Sequence, residues 1–160
     1  QNGWWGNLGV GACYEGLPWF TGAAVMAGAV PDWRVVTIAV LYSIGAHGIM
    51  TLNDFKSIEG ETRMGVQSLP VQLGAENAAK LACVFMTVPQ LAVIALLLIW
   101  NSPVYAIAVA GVVVAQLALM PRLLAAPKER GPWYNATGVS LFVSGMLVTA
   151  FALRPLIAGS

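Results

Sequence analysis

Charge is scarce in this sequence: eight of the 160 side chains are Lys or Arg, seven are Asp or Glu, and one is His. A soluble domain would carry charge on roughly a quarter of its residues, so this composition excludes that class. A net charge of +1 also excludes a nucleic-acid binder, which must neutralise phosphates. The two cysteines, Cys13 and Cys83, lie far apart in apolar runs and imply neither a disulfide framework nor a cysteine-based metal site.

Apolar residues make up 58% of the chain, which excludes intrinsic disorder, and they form long uncharged runs. Because a transmembrane helix needs about 20 mostly apolar residues, these runs predict an all-α, polytopic membrane helix bundle. Residues 101–103 (NSP) divide the longest run, and Pro18 is expected to kink the first span. The five predicted transmembrane helices lie at about residues 6–30, 35–52, 78–100, 103–120 and 135–153.

Two polar loops, residues 53–77 and 121–134, lie on the same side of the membrane because two predicted spans separate them. Six basic residues belong to this side and only Arg34 and Arg154 to the other. The positive-inside rule therefore predicts an inner (cytoplasmic) membrane protein with both loops in the cytoplasm and the C-terminus on the outer side. The opening residues 1–3 (QNG) are a poor natural start, so we expect a fragment of a longer chain.

Residues 53–63 hold three acids and two bases directly after the second predicted span. If the helix continues through them, Asp54, Ser57 and Glu61 share one face. Carboxylate oxygens in such an array suit Mg²⁺, which binds through one or two carboxylates together with substrate phosphates. On composition alone, a solvated, charge-balanced loop that only marks sidedness remains the alternative.

Two longer stretches of sequence in and after this region resemble a known family motif. Residues 53–61 (NDFKSIEGE) and 65–71 (GVQSLPV) resemble the second acidic motif of the UbiA-type intramembrane prenyltransferases, in particular their branch of chlorophyll and bacteriochlorophyll synthases. Residues 1–4 (QNGW) and 152–156 (ALRPL) are similar to that branch as well. The resemblance implies nine helices around a central cavity with two acidic motifs on cytoplasmic loops, of which the five spans here correspond to the last five helices.

The same resemblance implies an Mg²⁺-dependent enzyme. The reaction would transfer a polyprenyl group from geranylgeranyl or phytyl diphosphate to the propionate of (bacterio)chlorophyllide, the esterification step of bacteriochlorophyll biosynthesis. The implied catalytic residues are Asp54, Glu61, Lys56 and Arg63. The implied metal ligands are Asp54, Glu61 and Glu59, and the implied substrate-binding residues are Lys56, Arg63, His47, Asn53 and Gln67.

Two departures from the family pattern matter. The first acidic motif (NDxxDxxxD) is absent, so we expect it in a missing N-terminal half and expect the isolated chain to be inactive. The second motif reads Ser57-x-x-x-Glu61 where the wider family has Asp-x-x-x-Asp. Asp54 is then the natural replacement for the first carboxylate, because it shares the predicted helical face.

His47 lies seven residues before Asp54, so two helical turns place it on the same face, about 10 Å deeper. A neutral imidazole there would ligate the central Mg of a tetrapyrrole or bond its substituents. A histidine that is satisfied by a neighbouring helix carbonyl is the alternative.

Rival functions stay open. A quinone- or haem-type prenyltransferase would share the fold and the metal chemistry, although the run 53–57 (NDFKS) favours the pigment branch. A non-enzymatic pigment-assembly subunit belongs to a different class. A transporter fits least, because no inverted repeat is apparent and the acids lie at a span end rather than at the bilayer midplane.

Overall fold

The structure is a computed structural model that describes the backbone of residues 3–158 and the side chains of residues 3–154. Parts of the opening and closing runs, residues 1–2 and 155–156, lie outside the described side chains. No β-strand occurs within the described range. The elements in chain order are α1 (Gly3–Gly11), a π-helical turn (Ala12–Gly16), α2 (Leu17–Ala27), α3 (Trp33–Asp54), α4 (Ile58–Met64), α5 (Leu69–Ile99), α6 (Pro103–Ala125) and α7 (Pro127–Ala158).

Four of these helices are long and apolar enough to cross a membrane: α3, α5, α6 and the part of α7 that ends at Arg154. They correspond to the last four predicted spans and confirm a polytopic helical membrane fold. The break predicted at residues 101–103 is also confirmed, since α5 ends at Ile99 and α6 begins at Pro103.

The first predicted span is one helical run divided into three segments of 9, 5 and 11 residues. Each segment by itself is too short to cross the hydrocarbon core, which takes about 20 residues. Pro18 has no N–H and would clash with the carbonyl four residues before it. The π turn directly before it widens the helix, with the Leu17 N–H bonded to the Ala12 carbonyl. The predicted kink is therefore a π bulge.

The two predicted loops are far more helical than expected. Residues 53–77 contain α4 and the start of α5. Within this part of α5 the helix is broken at Gly74, which has a positive φ of 76° and an extended ψ of 157°. In residues 121–134 the loop prediction was wrong, because Ala126 is the only residue between α6 and α7. Charged residues mark where a helix leaves the hydrocarbon, but the helix itself continues because it satisfies its own backbone groups.

Helix α3 lies at the centre of the bundle, in contact with α1, α5 and α7. Polar pairs fix its surroundings: the Tyr42 hydroxyl lies 2.8 Å from Thr149 Oγ1. The amides of Gln90 and Gln116 exchange two hydrogen bonds between α5 and α6, at 3.1 and 3.3 Å. Buried pairs of this kind hold transmembrane helices in register, here α3 against α7 and α5 against α6.

Gly48 allows α3 to approach α5 closely. A Cβ there would lie 2.6 Å from the Ala82 carbonyl oxygen, which belongs to a rigid helix backbone. We expect Gly48→Ala to separate the two helices and destabilise the protein by about 1–3 kcal/mol, the usual effect of overpacking. Thermal unfolding in detergent, followed by size-exclusion chromatography, measures the loss.

Gly111→Ala is the matched control, since a Cβ at this helical glycine meets no atom within 4 Å. Equal melting temperatures for both alanine variants would contradict the close approach of α3 and α5.

Candidate functional site

A pocket of about 160 Å³ lies where the start of α1, the end of α3, α4 and the segment before α5 meet. We refer to it as the carboxylate pocket, because two acidic side chains line it together with amide and hydroxyl groups. Its lining residues are Gly3, Gly6, Asn7, Val10, Asp54, Glu61, Val66, Gln67 and Ser68.

Asp54 and Glu61 reach this pocket by a different route from the predicted continuous helix. Helix α3 ends at Asp54, and residues 55–57 form a turn whose N–H groups bond to carbonyls three residues earlier. Helix α4 then returns Glu61 towards the end of α3. The Ser57 hydroxyl donates a hydrogen bond of 2.6 Å to Glu61 Oε1, and the two carboxylates are close enough to repel each other.

The donor set of the pocket fits a divalent cation. Glu61 Oε2 is buried and has no hydrogen-bond partner, so one oxygen is available as a ligand next to the Asp54 carboxylate. No cluster of three metal-ligating side chains (His, Cys, Asp or Glu) occurs among the described residues. Two carboxylates with substrate phosphates completing the coordination are typical of Mg²⁺.

Asn7 on α1 lines the carboxylate pocket together with Asp54. Its Nδ2 donates to Thr51 Oγ1 at 3.3 Å, and the Thr51 hydroxyl donates to the His47 carbonyl at 2.8 Å. Sequence reasoning missed Asn7. The available signal was an amide side chain within a predicted span, where polar groups usually find a specific partner.

Only some of the other predicted residues of the acidic loop line the carboxylate pocket. Gln67 lines the carboxylate pocket, whereas Lys56, Arg63 and Glu59 are exposed and do not line it. Asn53 Oδ1 accepts a 2.7 Å hydrogen bond from Asn135 Nδ2. Asn53 thus connects the end of α3 to α7, while the functional roles of the three exposed side chains stay predictions.

His47 lies in a second pocket of about 320 Å³, and its ring stacks on Phe85 with 4.5 Å between the centroids. This pocket is apolar, and its other lining residues are Trp4, Trp5, Leu8 and Ile44. Residues of α1 line both pockets. The predicted common face of His47 and Asp54 therefore does not produce a common pocket, because α1 packs against α3 between them.

Membrane-length helices with a carboxylate pocket at one end define a polytopic integral membrane protein. Residues 1–146 match the sequence model of the UbiA prenyltransferase family. The chain belongs to this family.

Curated relatives agree with the family assignment. The chain is 56% identical to the bacteriochlorophyll synthase 33 kDa chain of Cereibacter sphaeroides over 98% of its own length and 52% of the relative's. It is 48% identical to the Rhodobacter capsulatus chain of the same name, over 96% and 52%. Identity to the chloroplastic chlorophyll synthase of Avena sativa is 42%, over 95% and 40%.

The chain spans about half the length of these relatives and corresponds to the C-terminal half of the bacteriochlorophyll synthase chains. No solved structure matches the chain at a significant level.

Proposed function

We propose that this chain forms half of a prenyltransferase that esterifies (bacterio)chlorophyllide with geranylgeranyl or phytyl diphosphate. The observation that carries the proposal is the carboxylate pocket, where Asp54 lies beside a Glu61 oxygen that has no partner in the fold. The names of the similar proteins, bacteriochlorophyll and chlorophyll synthases, support the choice of acceptor.

The proposed reaction breaks the bond between the allylic carbon and the diphosphate oxygen, and the diphosphate leaves with the electron pair. An oxygen of the pigment propionate forms the new bond to that carbon, giving an ester. The acceptor is already ionised at neutral pH, because a carboxylic acid has a pKa of about 4. The protein therefore needs no general base at this step; it must position the two substrates and exclude water from the allylic cation.

Asp54 and Glu61 are the residues that would hold Mg²⁺, and Asn7 lines the same pocket. A bound divalent cation supplies charge neutralisation for the leaving diphosphate. Lys56, in the turn after α3, and Arg63, on α4, are exposed, and their positive charge would assist binding of an anionic substrate through long-range attraction.

The topology belongs to the same proposal. Both charged regions, residues 53–63 and 121–130, lie at one end of the bundle, since Asn53 contacts Asn135. We place this end in the cytoplasm and the C-terminus on the outer side of the inner membrane, following the excess of basic residues. An upstream half that carries the first acidic motif would supply the remaining carboxylates of the site.

An acceptor comparison tests the function. In membranes that carry this chain with an upstream half from a relative, Mg²⁺ and geranylgeranyl diphosphate should give the ester of bacteriochlorophyllide. 4-Hydroxybenzoate should give no ring-prenylated product, because that reaction forms a carbon–carbon bond to an aromatic ring, whereas the proposed reaction forms a carbon–oxygen bond to a propionate carboxylate. Chromatography of the pigment and phenol fractions measures both products.

Omitting the cation by chelation is the control, and it should abolish ester formation. Prenylation of the phenol without any pigment ester would replace this proposal with a quinone-type enzyme, and no product from either acceptor would contradict enzymatic function.

A further inference from the structure

Two polar atoms in the carboxylate pocket are buried without a hydrogen-bond partner: Glu61 Oε2 and Ser68 Oγ. Ser68 is only 4% exposed and lines the pocket. One atom is an acceptor with negative charge and the other belongs to a hydroxyl donor. Since buried polar groups are normally satisfied, a bound group that complements both atoms is expected in this pocket.

The fold makes no use of the Ser68 hydroxyl. Ser68 is the N-cap residue of α5, a position where serine normally accepts a hydrogen bond from a backbone N–H of the first turn. Here the side chain makes no such bond, and Pro70 has no N–H to offer. The Gln67 carbonyl accepts bonds from the Gly3 N–H and from Gln72 Nε2, so the backbone before Ser68 is held in place.

We propose that Ser68 donates a hydrogen bond to an oxygen of the donor's diphosphate, while Asp54 and Glu61 bind the divalent cation that accompanies it. The inference rests on the proposed function. A diphosphate alone would be repelled by the two carboxylates. A cation alone would satisfy Glu61 but accepts no hydrogen bond from Ser68. A cation paired with a phosphate satisfies both atoms, and hydrogen bonds to such charged acceptors are strong.

Calorimetry on the protein completed by its upstream half tests this assignment with Mg²⁺ alone and then with inorganic pyrophosphate in the presence of Mg²⁺. We expect Ser68→Ala to weaken pyrophosphate binding about tenfold, as loss of one hydrogen bond to a charged group does, and to leave Mg²⁺ binding unchanged. Ser68→Thr should restore binding, because it keeps the hydroxyl. Glu61→Gln should weaken the binding of both.

Ser102→Ala is the matched control, since Ser102 is the N-cap of α6, precedes a proline and also makes no side-chain cap bond. It should bind pyrophosphate normally. Unchanged pyrophosphate binding in Ser68→Ala would overturn the proposal, and so would a parallel loss of Mg²⁺ binding or an equal loss in Ser102→Ala. If the alanine variant does not fold, Ser68→Cys provides the same comparison with a poor donor. The assay contains no pigment, so its outcome is independent of whether the acceptor has been identified correctly.

Discussion

Asp54→Asn and Glu61→Gln should each lower the rate of pigment esterification about a thousandfold, while the protein remains as abundant as the wild type. Both changes keep the size of the side chain and remove the charge that would bind a divalent cation. A loss of ~4 kcal/mol of leaving-group stabilisation corresponds to this factor in rate. Esterification by membranes of the completed protein, normalised to immunoblot intensity, measures the effect.

Glu76→Gln provides the control for loss of one negative charge, because Glu76 is an exposed residue of α5 outside the carboxylate pocket. It should retain full activity. Wild-type rates in both Asp54→Asn and Glu61→Gln would rule out this pocket as the diphosphate site.

The isolated 160-residue chain should form no ester, which is the second large effect. It supplies one pair of carboxylates, whereas ionisation of the donor requires metal held between two acidic motifs in the proposed enzyme. Few side chains of its first helical run pack against the rest of the bundle. Helix α2 has no buried residue, and Trp5 and Tyr14 are 74% and 73% exposed. Co-expression with an upstream half should restore esterification.

The purified chain, supplied in detergent with Mg²⁺, bacteriochlorophyllide and geranylgeranyl diphosphate, provides this measurement. Membranes with the upstream half alone are the reciprocal control and should be inactive as well. Sustained ester formation by the purified chain would show that one acidic motif is sufficient.

The fold was largely predictable because transmembrane helices follow from local sequence. Uncharged runs gave the four membrane-length helices, and the NSP run at 101–103 marked a true break. The conformation of the polar regions was predicted wrongly, because residues 121–134 are charged and yet largely helical. Charge reports the position of the membrane surface, while helix ends depend on backbone hydrogen bonding and packing that composition does not encode.

The site was predictable only where it follows from spacing along the chain. The shared location of Asp54 and Glu61 was predicted from their spacing of seven residues, although the structure brings them together through a turn instead of one helical face. Their roles stay predictions. Asn7 and Ser68 were missed as contributors because they meet Asp54 and Glu61 only after α1 and the segment before α5 pack against the end of α3. His47 lies on the same helix as Asp54 but lines a different pocket, and its role in substrate binding stays a prediction.

The rate of the double variant Asp54→Asn/Glu61→Gln tests most directly whether the two carboxylates act as one site. If both bind the same cation, removing the second carboxylate should lower the rate little further, because the effects of mutating residues that act as a unit are strongly non-additive. We expect the double variant to esterify pigment at about the rate of either single variant, roughly a thousandth of wild type. If the two thousandfold reductions multiply instead, the double variant would form ester about a millionfold more slowly than the wild type. That result would show that Asp54 and Glu61 act independently and would contradict a shared diphosphate site.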